Sequence, residues 1–452
     1  MLHHFMSIQT VIGSLAFFIG ASFSVNGFAH NLLWVYQRAL EQDPTVREAY
    51  ATYLAAKQTL PIARAELYPQ LGVTANVTMD KFLNIDNNPA IHSRGFAFNL
   101  NQAILRLEKC YAVRQADFEV RAALQTFAMA RQTLIVSVVE AYFGVLAAQD
   151  DLELSRAQKA SLEAQLNQAQ QKFKLGVIAI ADLKQAQAQY QMQLADQIEK
   201  VNALEDKKLA LSEIINVIPE TFATLQPDFV PVPPRPANLE QWARITRRYS
   251  HAISEAKFQY LALKKAEQVQ FAQHYPMVDF VGQYGGQRSD QTINLDSIVT
   301  YSGFFRYWSF ALDGTLNLFS GGKITALTRE AALRKIASGF EWKRVERATV
   351  SQTKQTFRGV VSDISSIKAY QQGVASALTA LDAAQKGYDL GLNTTADIMD
   401  RLFNVYTQKK NLMNARYDYV LNVIRLKDSA GILSDADVVT VNNWLLEKKN
   451  DK

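Results

Sequence analysis

Residues 308–318 read WSFALDGTLNL. Trp308, Phe310, Leu312, Leu316 and Leu318 alternate with Ser309, Ala311, Asp313, Thr315 and Asn317, and Gly314 falls on the apolar side. Successive side chains of a β-strand point to opposite faces. A strand here therefore has one face of large apolar groups and one of small or polar groups. The pattern recurs where Phe96, Phe98, Leu100 and Ile104 alternate with Ala97, Asn99, Asn101 and Ala103. It recurs again where Leu71, Val73, Ala75 and Val77 alternate with Gln70, Gly72, Thr74 and Asn76. A fourth stretch is less regular, because Val281 breaks it. Strands are expected at about 68–80, 94–106, 275–287 and 306–319. Alternating segments of about ten residues with the apolar side outward are the pattern of a transmembrane β-barrel. A sheet buried on one face alternates too. In that case Tyr301, Phe304, Phe305, Tyr307 and Trp308 are core aromatics rather than an interfacial girdle. The smallest membrane barrels have about eight strands. Four spanning strands would need further copies of the chain, and a trimer supplies twelve.

The rest of the chain reads as helix. Six of the 11 prolines lie between Pro219 and Pro236, and residues 90–218 and 277–452 contain none. Long Pro-free stretches rich in Ala, Gln, Leu, Glu and Lys favour long helices. They are expected at about 108–217 and 323–428, separated by an extended linker at 218–235. Leu162, Leu166, Ala169 and Phe173 step by heptad intervals, as do Tyr190, Leu194, Gln197, Val201, Leu204, Lys208, Leu211 and Ile215. So do Ile398, Leu402, Val405, Lys409, Leu412, Arg416, Tyr419 and Val423. These are coiled-coil seams with polar interruptions. An unbroken helix from about Glu108 to Lys174 would span about 100 Å, more than most globular domains need.

The two halves repeat. Tyr68-Pro69 corresponds to Tyr275-Pro276, and Phe96 to Phe310. Phe173-Lys174-Leu175-Gly176-Val177 corresponds to Tyr388-Asp389-Leu390-Gly391-Leu392, and Asp182 to Asp397. The division is 30–235, 236–428 and a C-terminal segment 429–452. Residues 1–29 stand apart. VIGSLAFFIGASFSV (11–25) carries no charge, and Gly27-Phe28-Ala29 offers small residues for cleavage. This reads as a secretory signal with the mature chain starting near His30, the alternative being an uncleaved anchor.

Composition excludes several classes. The net charge of +5 comes without any run of five basic residues, which argues against nucleic acid. The single cysteine, Cys110, excludes a disulfide framework and a thiolate metal site. The six histidines do not fall at metal-ligand spacing. No catalytic constellation, metal site or cofactor is expected. SGGK at 320–323 lacks the earlier glycine and the Ser/Thr of a phosphate loop, and reads as a strand-to-helix turn.

Together these features resemble the TolC-like outer-membrane factors, the exit ducts of tripartite efflux pumps and type I secretion systems. The resemblance runs from NLLWVYQRALEQDPTVREAY (31–50) through KFKLGVIAIADLKQAQAQY (172–190) to LKDSAGILSDADV (426–438). It implies a homotrimer whose twelve-stranded β-barrel sits in outer-membrane lipid above a periplasmic α-barrel of long antiparallel coiled coils. It implies an equatorial belt near 213–240 and 429–452. It further implies a partner periplasmic adaptor (membrane fusion) protein and, indirectly, an inner-membrane pump of the RND, ABC or MFS type. Such a duct conducts drugs, small molecules or proteins and is not an enzyme. A pore-free periplasmic scaffold or tether is the alternative.

Site residues follow from the resemblance. Asp397 and Asp400, three residues apart on one helix face, match the family's aperture carboxylates. In a trimer they would form cation-selective rings, with like-charge crowding raising their pKa values. The other reading is two solvated surface acids. Asp182 and Tyr388 match links that close the aperture. Leu175, Gly176, Val177, Leu390, Gly391 and Leu392 form the helix–helix turns, where the family docks its adaptor. Where the family often has a closing arginine, this chain has Asn393.

Overall fold

The computed structural model describes residues 30–81, 90–289, 303–390 and 392–446. Residues 1–29, read above as a secretory signal, Tyr301 and Gly391 lie outside these described residues. Three short helices come first: α1 Leu32–Gln42, α2 Pro44–Lys57 and α3 Thr59–Ala65. Asn31 starts α1 by accepting from the Trp34 amide at 2.9 Å. Asp43 starts α2 by accepting from the Thr45 and Val46 amides, with Pro44 at the first helical position. Strands β1 Gln70–Lys81 and β2 Ala90–Leu105 precede helices α4 Leu107–Lys174 and α5 Ile180–Ile215. After β3 Thr224–Leu225, α6 Leu239–Tyr249 and α7 His251–Ala272, the plan repeats. It gives β4 Met277–Ser289, β5 Gly303–Thr315, α8 Lys323–Asp389 and α9 Thr395–Ser429, then α10 Asp435–Asn442 and β6 Leu445–Leu446. Gly321 and Gly322, both at positive φ, make the turn into α8.

The four long strands form one antiparallel sheet in the order β1-β2-β4-β5. Its register sorts the side chains by face. Val73, Phe98, Tyr284 and Trp308 share one row, and Leu71, Leu100, Gly282 and Phe310 another. The opposite face carries Gly72, Asn99, Gln283 and Ser309, then Thr74, Ala97, Gly285 and Tyr307. There Asn99 donates to Thr74 Oγ1 at 3.2 Å, and Gln283 donates to Asn99 Oδ1 at 3.2 Å. The apolar face is bare: Val77 is 86% and Trp308 72% exposed. Val281, the residue that disturbed the pattern, lies on the small-polar face between Asn101 and Ala311. The expected girdle divides. Phe304 and Trp308 point with the apolar face, whereas Phe305 and Tyr307 lie on the other. The glycines of β4 make room for these rings: a Cβ at Gly285 would meet Tyr307 at 2.8 Å, and one at Gly286 would meet Phe304 at 2.8 Å.

The helices hold the core. At 68 residues α4 spans about 100 Å, packing on α7 near the sheet and on α5 beyond it, while α8 packs on α7 and then on α9. Halfway along, α1, α10 and the β3–β6 pair gather around Leu134, Val138, Tyr142, Phe143 and Leu146 of α4, and α6 packs on α8. Full burial of each large side chain here stabilises by roughly 1.5–3 kcal/mol. Tyr142, fully buried, donates to the carbonyls of His30 and Ala223, which ties the chain start and the inter-repeat segment to α4. Tyr419 likewise donates to Val232 O at 2.7 Å and accepts from Val232 N at 2.9 Å. Among the described residues, α4 alone has a window long and apolar enough to cross a membrane, and half of that window is buried inside the fold.

The α9 seam packs at Ile398, Leu402, Val405 and Tyr419. The α5 seam differs midway from its heptad reading. Leu204, Leu211 and Ile215 are buried, but Gln193 is 6% exposed while Val201 is 38% exposed. Gln193 donates to Ser155 Oγ of α4 at 2.7 Å, and Ser155 donates to Asp196 at 2.8 Å. A satisfied polar cluster thus takes the seam position for one turn.

Candidate functional site

The site lies where each pair of long helices turns back, at the end farthest from the sheet. At the first turn the Gly176 amide donates to Phe173 O and the Val177 amide to Lys172 O, both at 2.9 Å. This is a Schellman ending, and Gly176 takes the left-handed φ of +75° that it requires. At the second turn the Leu392 amide donates to Gly387 O at 2.8 Å, the matching bond. Leu175, Val177, Leu390 and Leu392 stand 67% to 78% exposed at the tips.

The helices leaving these turns start differently. Thr394 caps α9, and its hydroxyl accepts from the Asp397 amide at 3.3 Å. The Asp397 carboxylate accepts from the Thr394 amide at 2.8 Å and hydroxyl at 2.7 Å. This reciprocal capping box was present in the sequence as Thr394-x-x-Asp397, a signal that the aperture reading passed over. The backbone bond from Thr394, and then its hydroxyl bond, hold the Asp397 carboxyl below the usual carboxylate range. Within one chain that is the opposite of the rise expected from like-charge crowding. Asp400, one turn on, is exposed. Asp182 takes the same third position of α5, but Ala179 at its N-cap makes no side-chain bond.

Two contacts join the coils. The Lys172 ammonium of α4 sits 3.8 Å from the Tyr388 ring centroid of α8, a cation–π contact between the two turns that the sequence reading did not anticipate. Leu162 and Ala169 of α4, Leu183 and Ala186 of α5, and Met399 and Leu402 of α9 form a small apolar core above the tips. Asn393 donates to the Ala384 carbonyl at 3.1 Å, satisfying the end of α8. Gly387 makes room for it, since a Cβ there would run into Asn393 Nδ2. Asn393 therefore serves its own turn. Among the described residues no group of three or more His, Cys, Asp or Glu side chains is placed to hold a metal ion.

A body of paired helices about 100 Å long, bearing an antiparallel sheet with bare apolar side chains, is the architecture of an outer-membrane protein with a periplasmic extension. The chain belongs to the outer membrane efflux protein family, whose model matches residues 35–217 and 243–432. It is 31% identical to the outer membrane protein TolC of Vibrio cholerae, over 92% of this chain and 94% of that relative. It is 30% identical to TolC of Escherichia coli, over 93% and 87%. It is 28% identical to the alkaline protease secretion protein AprF of Pseudomonas aeruginosa, over 92% and 87%. In fold it matches the Campylobacter jejuni CmeC outer membrane channel with a TM-score of 0.77 at 16% identity, over 94% of both chains. The open state of the Neisseria gonorrhoeae MtrE outer membrane channel matches with a TM-score of 0.74 at 19% identity, over 90% of both chains.

Proposed function

We propose that the chain is one third of a passive export duct. Three copies close their sheets into a twelve-stranded barrel in the outer membrane, and their long helices form a periplasmic α-barrel. The observation that carries this reading is the open sheet. Among the described residues β1 and β5 each have only one neighbour, and an unpaired edge cannot remain in hydrocarbon, where each unsatisfied backbone group costs several kcal/mol. The apolar face meets lipid and the Asn, Gln and Thr face meets water. Residues 1–29 direct export. Residues near 213–240 and 429–452 contribute to an equatorial belt.

At the tips, Asp397 and Asp400 of three copies ring the axis as a cation-selective aperture, and Asp182 and Tyr388 belong to the links that close it. The exposed apolar turns, Leu175-Gly176-Val177 and Leu390-Gly391-Leu392, take the hairpin of a periplasmic adaptor. An inner-membrane pump reached through that adaptor supplies the energy. The cargo class is drugs, small molecules or secreted proteins, and the duct performs no chemistry on it.

Cysteine pairs, one on β1 and one on β5 of the same chain, moved in turn along the two strands in a Cys110→Ser background, test the closure. Oxidation of membranes should give disulfides between copies and a covalent ladder that stops at three. A protein released as a monomer without detergent, or a ladder stopping at two, would contradict the proposal.

A further inference from the structure

Beside the central core, α4, the start of α7, α8 and the end of α9 border a recess of about 420 Å³. Sites for small organic ligands fall in this size range. Asp428, the last residue but one of α9, lines it, and no Lys or Arg does. The cations nearest in sequence are engaged elsewhere: Lys427 pairs with Asp437, and Arg425 with Glu140. Among the described residues no group donates a hydrogen bond to the Asp428 carboxylate, and Glu140 nearby adds to the negative potential. A largely buried carboxylate with neither donor nor cation is costly. A cationic ligand removes that cost.

The neutral polar groups around the carboxylate are left as acceptors. Ser250 is the N-cap residue of α7 and only 4% exposed, yet its hydroxyl makes no capping bond. A serine there ordinarily accepts from the first turn of its helix. Among the described residues this hydroxyl has no hydrogen-bond partner, and Ser250 lines the recess. Gln132, also buried, spends its Nε2 on the Leu433 carbonyl at 3.0 Å, which leaves its amide oxygen. His251 is paired through Nδ1 with the Gln125 amide oxygen at 2.8 Å, and burial lowers its pKa. Since an amide oxygen only accepts, Nδ1 carries the proton and Nε2 is an acceptor. The start of α7 contributes amide donors but no formal charge, so the negative charge of the recess stays unbalanced. Met129, Ala252 and Ala348 supply an apolar wall.

We propose that this recess binds a small organic ammonium ion, whose N–H groups donate to Asp428, Ser250 and Gln132 while its carbon body lies against Met129 and Ala348. A primary ammonium carries three donors and no acceptor, which matches one carboxylate and two neutral oxygens. The recess lies within one chain, so the inference stands apart from trimer closure and from the aperture. The full-length protein in detergent, near neutral pH, is titrated by calorimetry with benzylamine, benzyl alcohol and benzoate. Benzylamine should bind once per chain and about ten-fold or more tightly than its neutral and anionic analogues, since only it makes hydrogen bonds to a charged acceptor from a charged donor. Asp428→Asn keeps the shape, removes the charge and should lose about ten-fold. Ser250→Ala should lose about three-fold. Ala348→Leu fills the recess without touching a charge; it should abolish binding, and it decides the matter if Asp428→Asn does not fold. Glu163→Gln removes an exposed carboxylate elsewhere on α4 and should bind as wild type. Benzyl alcohol binding as tightly as benzylamine, unchanged affinity in Asp428→Asn or Ala348→Leu, or an equal loss in Glu163→Gln would each overturn the site.

Discussion

Asp428, near the end of α9, is an acid that the fold tolerates at a cost. It shares a recess with Gln132, Ser250, His251, Thr349 and Gln352. Burial, with Glu140 nearby, pushes its carboxyl up to about 6. Glu140 itself pairs with Arg425 at 2.8 Å, and the same burial lowers His251. An unfolded Asp loses its proton near pH 4. Between about pH 4 and 6 the folded chain therefore holds more protons than the unfolded one, and stability from this group falls as pH rises through that window. Above it the cost is of order 3 kcal/mol. Asp428→Asn should leave thermal unfolding near pH 4 unchanged and raise the midpoint at pH 7 by a few degrees. Equal midpoints of variant and wild type at pH 7 would show that the carboxylate is already solvated. The spacing of Asp397 and Asp400 was legible because helical periodicity alone puts them on one face. The local role of Asp397 was in the letters too, as Thr394-x-x-Asp397, but helix ends are read reliably only once the turn before them is placed. Asn393 was illegible, since its bond to Ala384 exists only because Gly387 clears the way.

At the scale of elements, the long helices and their seams follow from proline-free heptads, and three of the four strands from period two. Strand β4 was expected at 275–287 with a broken alternation and forms at Met277–Ser289, and its neighbour supplies the reason for the irregularity. Rings from β5 cover its glycines, so its packing is encoded in another strand. The α5 seam departs from its heptads at Gln193 because Ser155 of α4 offers a buried partner, information that no single helix carries. The contact between Lys172 and Tyr388 belongs to this scale, since it links the ends of α4 and α8. A cation–π pair at an exposed site contributes about 0.5–1 kcal/mol. If the closed tips depend on it, Lys172→Met should raise the open probability of the reconstituted channel about two- to five-fold per protomer, and Lys172→Arg should not. Tyr388→Leu should abolish the difference between lysine and methionine at position 172. Identical gating in Lys172→Met and wild type would remove Lys172 from the closing links.

For the whole molecule, the sequence carried the need for partners more plainly than the partners themselves. Four alternating strands are too few to close, and the structure leaves both sheet edges and one apolar face open. The helices show the same incompleteness: Met192, Ile198 and Leu209 of α5 and Leu333, Ile336 and Phe340 of α8 are exposed apolar residues away from the packed seams. A ring of coils gives each helix two neighbours, and such side chains are then covered. In the proposed trimer, closure of the ring brings Asp397 and Asp400 of all copies toward one axis. At about 6 Å two unit charges still interact by roughly 0.7 kcal/mol at bulk dielectric, and more strongly in a narrow pore. Single-channel recording in planar bilayers tests this most directly. The substitutions to use are Asp397→Asn and Asp400→Asn together, because an amide oxygen at position 397 still accepts from Thr394 and preserves the start of α9. The wild-type protein should open cation-preferring channels that multivalent cations block, and the double variant should conduct with weakened cation preference and without that block. A double variant that keeps wild-type selectivity and block, or a wild-type protein that forms no channel, would contradict the account.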